Sequence, residues 1–119
     1  MPTLDVQGDV RRRLAAALAP VDVRVSVPDP RPGELVVVTR SGGRRLDGLR
    51  DRAGVDVLCW APTEARAREL ADAADEAMRS LPFSGGYALV EQEVARSDRD
   101  MDSGSPRWYL SYTVTTYKY

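Results

Sequence analysis

The stretch VDVLCWAPTEARARELADAADEAMRSL, Val55 to Leu81, decides the fold: a short apolar strand, a sharp turn at Ala61-Pro62 and a long amphipathic helix succeed one another within it. Thr63 is placed to cap the helix by accepting a backbone N–H bond, and Glu64 sets negative charge at the positive end of the helix dipole. Ala67, Leu70, Ala71, Ala74, Ala77, Met78 and Leu81 recur at intervals of three and four, which gathers them on one stripe. Mostly alanine, that stripe lets the helix lie close on a sheet. Arg66, Arg68, Glu69, Asp72, Asp75, Glu76 and Arg79 make the solvent side, with Glu64 to Arg68 and Asp75 to Arg79 at the favourable four-residue spacing. Pro82 cannot donate to the helical ladder and ends it.

The flanking segments supply the sheet. Val21, Val23, Val25 and Val27 alternate with Asp22, Arg24 and Ser26, the pattern of a half-buried strand. The proline-rich turn Pro28 to Gly33 is expected to reverse the chain so that Glu34 to Arg40 returns as its antiparallel hairpin partner. Tyr87 to Ala95 reads as a strand with Ala88, Val90 and Val94 on one side and Glu91 and Glu93 on the other. Beyond the polar loop Arg96 to Pro106, Trp108, Leu110, Tyr112 and Val114 alternate with Tyr109, Ser111, Thr113 and Thr115 in the last strand of a second hairpin. A first helix over Leu4 to Ala19, started by Thr3 and Asp5, carries Val6, Val10, Leu14, Ala17 and Leu18 on one face. The order α-β-β-loop-β-α-β-β predicts an α+β fold in a single domain spanning residues 1–119, a mostly antiparallel sheet of four to five strands with both helices on one face.

Ser41 to Gly54, SGGRRLDGLRDRAG, holds four glycines and four arginines and reads as a long, flexible, basic loop. Loops of that length are commonly functional, which makes it the first candidate region. It lacks the frame of a phosphate-binding loop.

Composition narrows the chemistry. With 119 residues, 43% hydrophobic and 29% charged, the chain has the makeup of a globular domain. No histidine is present, which removes the commonest general base and nitrogen metal ligand. The one cysteine, Cys59, lies inside an apolar strand and reads as a buried hydrophobe. A net charge of −1 speaks against a protein whose main task is to grip phosphates. Asp98, Asp100 and Asp102 resemble the first half of a calcium loop, but Gly104 falls at the seventh place and no glutamate occupies the twelfth. No apolar run approaches the roughly 20 residues that span a bilayer, and the N-terminus lacks a basic region followed by an apolar block. A cytosolic setting, no membrane contact, no enzymatic activity and no cofactor are the expectations.

Three segments taken in order after the early helix carry a resemblance: VRVSVPDPRPGELVVVTRSGG at Val23 to Gly43, VDVLCWAPTEARARELADAADEAMRSLP at Val55 to Pro82, and DSGSPRWYLSYTVTTY at Asp102 to Tyr117. Together they resemble the tail terminator proteins of long-tailed bacteriophages, siphophage type, especially those of actinobacterial hosts. The resemblance covers nearly the whole chain and rests on structural patterns, with no catalytic signature among them. It implies a small α+β virion subunit, built in the host cytoplasm, that forms a ring of an expected six copies on the head-proximal end of the tail tube. Such a ring stops tube polymerisation and meets the head-completion, or stopper, proteins, while DNA passes through the lumen without sequence-specific binding. The family has no enzymatic activity and needs no cofactor.

Charge placement suits such head-to-tail contacts, because unlike surfaces must meet around a closed ring. The candidate interface to other subunits or to the tail tube is therefore basic at Arg40, Arg44, Arg45, Arg50 and Arg52, and acidic on balance in the Asp98 to Asp102 loop, at Asp98, Arg99 and Asp100. Two alternatives stand beside this reading. One is a small nucleic-acid-binding module using the arginines and the C-terminal aromatics; the other is a different head-tail joining or tail completion protein.

Overall fold

Both helices begin where side chains can satisfy their first free amides. The computed structural model describes residues 5–45 and 50–117; Thr3 and Leu4 lie outside them. Helix α1 (Val6–Leu18) is capped by Asp5, whose carboxylate accepts from the Gly8 amide at 3.2 Å. Helix α2 (Glu64–Ser80) is capped by Thr63, whose hydroxyl accepts from the Arg66 amide at 3.2 Å. A single 3₁₀ turn, Leu81–Ser84, carries Pro82 and leads the chain off the helix. Val6, Val10, Leu14 and Leu18 of α1 are buried, and so are Ala67, Leu70, Ala71, Ala74 and Met78 of α2. Ala17, expected on the buried face, is exposed.

Strands β1 (Asp22–Arg24), β2 (Leu35–Arg45), β3 (Arg50–Trp60), β4 (Tyr87–Ser97) and β5 (Arg107–Tyr117) form a sheet in the order β1-β2-β3-β5-β4. The fold is α+β, mostly antiparallel, with both helices on one face. Val36, Val38, Ala53, Val55, Val57, Cys59, Leu110, Tyr112 and Val114 meet the helices in one core. The small side chains Ala67, Ala71 and Ala74 of α2 lie in that core, on the face the alanine stripe predicts.

Three sequence expectations change here. First, β1 is three residues long and runs parallel to β2 instead of forming an antiparallel hairpin with it. Pro28, Pro30 and Pro32 offer no amide to a ladder, so the strand ends early and the intervening chain loops back to start β2 beside the start of β1. Arg31 of that segment lies over the Trp60 ring and donates to the Ser105 hydroxyl at 2.7 Å. Val25 and Val27 are exposed.

Second, most of the expected 41–54 loop is strand: residues 41–45 extend β2 and residues 50–54 open β3. Residues 46–49 lie outside the described residues. The glycines that suggest a loop instead pair within the strands beside a bulge, the register shifting between Arg40 and Gly42 at Ser41. Gly43 has φ +115°, and a Cβ there would stand 2.1 Å from the Arg52 carbonyl oxygen, so only glycine fits.

Third, β4 does not alternate evenly. Register shifts between Tyr87 and Leu89 and between Gln92 and Val94 leave Ala88 and Glu93 unpaired in the ladder. Each one-residue slip exchanges the faces. Val90 thus pairs with Val114 of the helix-side core, whereas Val94 pairs with Ser111 on the other face.

Candidate assembly interface

The register of the sheet settles where the charged candidates sit. Arg50 opposite Tyr117 marks one end of the β3–β5 pair, and Trp60 opposite Arg107 marks the other. Arg44, Arg45, Arg50 and Arg52 therefore gather at one end of the sheet, and Asp98, Arg99 and Asp100 at the opposite end. The longest dimension of the molecule is 44 Å. The structure keeps the two groups apart as separate poles.

At the basic pole, Arg44 and Arg52 are exposed and directly opposite each other across the β2–β3 ladder. Like charges so placed repel, so this arrangement weakens the pairing of the two strands at this end. Arg40 is engaged within the subunit: its guanidinium reaches the buried Asp51 carboxylate at 3.3 Å and the Gly42 carbonyl at 3.0 Å, and its amide donates to the Gln7 side chain at 2.9 Å. Arg40 is thus built into the fold of its own subunit.

The acidic tip is a braced turn. The Trp60 indole N–H donates to Asp100 at 3.1 Å, and the Asp102 amide and Ser103 hydroxyl add bonds of 3.0 Å each. Stabilised chiefly by the Trp60 N–H, the Asp100 carboxyl is pushed down to about 2. Asp98 pairs with Arg107 at 2.9 Å, and Arg99 donates to the Gly104 carbonyl. Asp98 and Asp100 thus serve separate partners, and no group of three or more His, Cys, Asp or Glu side chains is placed to hold a metal ion among the described residues. Burial pushes the Cys59 thiol up to about 12, which removes nucleophilic thiolate at neutral pH.

Two residues passed over in the sequence stand out in the structure. Phe83 and Met101 are each 91% exposed, Phe83 in the 3₁₀ turn before β4 and Met101 at the β4–β5 tip. They lie toward opposite ends of the sheet, beside the two poles. Single exposed apolar side chains are ordinary on a protein surface, and these two become candidates only through their places beside the charged groups. Their isolated positions in polar loops gave no periodic signal in the sequence.

No protein-family model matches this chain, and no curated protein matches it. Among solved structures, the chain is similar to one from the virion of a native gene transfer agent particle, with a TM-score of 0.61, 19% identity and 94% of each chain covered. At that identity the likeness establishes a shared fold over nearly the full length of both chains. No helix is long and apolar enough to cross a membrane among the described residues.

Proposed function

We propose that this chain is a non-catalytic structural subunit of a phage-like virion, a tail terminator that closes into a ring of six on the head-proximal end of the tail tube. There it stops tube growth and presents a surface to the head-completion proteins, with DNA threading the lumen. The observation that carries the reading is the shared fold: nearly all of this chain is similar to nearly all of a virion chain. Two further features support it. The charge poles at opposite ends of the sheet give each subunit unlike surfaces for neighbours above and below. The bare Phe83 and Met101 supply an apolar anchor near each pole.

Sedimentation of the purified protein, alone and with tail tube protein, followed by negative-stain imaging, tests the reading. Rings, or a cap on tube ends, are expected. The Arg44→Glu/Arg52→Glu variant should fold and lose tube capping; capping equal to wild type would remove the basic pole from the interface. A monomer whose DNA affinity falls steeply with added salt would favour the nucleic-acid-binding module instead.

A further inference from the structure

Among the described residues the sheet has two edges without a strand partner, and they differ in character. Strand β4 forms one of them, eleven residues long and exposed on both faces for most of its length. Long open edges are normally short, covered or charged, because their unpaired amides and carbonyls recruit another strand. Here Leu89 and Val94 remain 48% and 36% exposed. Carboxylates crowd this side: Glu91 and Glu93 have no ion-pair partner among the described residues, while Glu64 and Asp75 of α2 reach β4 through Ser97 and Gln92. Arg79 pairs with Asp75, and Arg96 turns away over the Tyr109 ring.

The opposite edge is β1. Beside it runs an open groove of about 340 Å³, lined by Arg11, Asp22, Val23, Arg24, Val25 and Ser26. Arg24 pairs with Asp22 at 3.0 Å, which leaves Arg11 as the groove's positive excess, and Val25 offers exposed apolar surface. Arg11 holds the Val23 carbonyl at 3.3 Å.

We infer that β4 of one copy docks along the β1 edge of the next, extending the sheet from subunit to subunit. Charge selects this pairing over the symmetric alternative. Antiparallel pairing of β4 with its own copy about Gln92 would set Glu91 against Glu93 twice, with the α2 carboxylates alongside. The β1 edge presents arginines instead. A contact between unlike surfaces propagates in one direction and closes into a ring when its rotation divides a full turn. The inference rests on the ring reading above and adds the surfaces that join neighbours within it.

Reciprocal charge reversal tests it. Glu91→Arg/Glu93→Arg makes both edges of a subunit basic, and Arg11→Glu/Arg24→Glu makes both acidic. In sedimentation velocity each variant alone should self-associate at least about tenfold more weakly than wild type, while an equimolar mixture recovers wild-type association by alternating the two. Circular dichroism melts confirm folding; if a double variant unfolds, Glu93→Gln and Arg24→Gln should each weaken association partially. Wild-type rings that both variants form equally well would overturn edge pairing and leave the ring reading standing. An acidic variant that associates normally while the basic one fails would show symmetric β4 contact and overturn it as well. Wild type that stays monomeric at every concentration, with and without tube protein, overturns both.

Discussion

Asp9→Ala removes the carboxylate that joins α1 to the start of β4, and its loss falls unevenly on three partners. Asp9 is 7% exposed; it accepts from Arg12 and Arg13 at 2.8 Å each and from the Tyr87 hydroxyl. The arginine side chains keep 62% and 34% of their exposure, so their guanidiniums can turn to water at little cost. Tyr87 is 3% exposed and loses its carboxylate acceptor where water enters poorly. That points to a loss of about 2 kcal/mol. For a chain of this size it corresponds to a melting temperature lower by roughly 8 °C. Tyr87→Phe deletes the hydroxyl but leaves the carboxylate its two arginines, and should cost only about 1 kcal/mol. The double variant should then be little worse than Asp9→Ala alone, since the pair acts as a unit.

The pH dependence gives a second readout. Burial opposes ionisation of Asp9, yet the bonds from Tyr87, Arg13 and Arg12 outweigh it and hold the carboxyl below its ordinary 3.8. A lowered native value stabilises the fold above 3.8, and the contribution drains away as pH falls below it. The gap between wild type and Asp9→Ala, measured by urea unfolding, should be full at pH 7 and shrink as the solution is taken below pH 4. A gap equal at both pH values, or a larger loss from Tyr87→Phe than from Asp9→Ala, would refute the reasoning.

Three other perturbations follow from the structure. Met78→Ala empties a fully buried site between α2 and the sheet and should lower unfolding free energy by about 2–5 kcal/mol with an unchanged denaturant slope. Gly43→Ala forces a Cβ against the Arg52 carbonyl at positive φ and should cost about 1–3 kcal/mol, with faster amide exchange confined first to the β2–β3 bulge. Asp100, titrated by NMR, should remain ionised at pH 3 and turn over near 2, the Trp60 indole proton shifting with it; Asp100→Asn should abolish that shift.

Local chemistry made much of this molecule readable in advance. The Thr63 cap, the α2 stripe from Ala67 to Met78, the α1 face from Val6 to Leu18 and the alternation from Leu110 to Val114 depend on spacing along the chain, and spacing is written in the sequence. The α+β class follows from their order. Other features depend on which segments meet across space. The parallel seat of β1, the two slips in β4 and the bulge between Arg40 and Gly42 each arise from register against a neighbouring strand, to which periodicity is blind. The glycines and arginines of residues 41–54 carry the composition of a loop, and only pairing of β2 with β3, and of β3 with β5, makes most of them strand. The charged candidates divide in the same way: their residue types were visible, whereas the sheet register alone sends the arginines of 44–52 and the aspartates of 98–100 to opposite ends and folds Arg40 onto Asp51. Tertiary structure decided that polarity because antiparallel strands return the chain across the whole length of the sheet, separating neighbours in composition by the full reach of a hairpin.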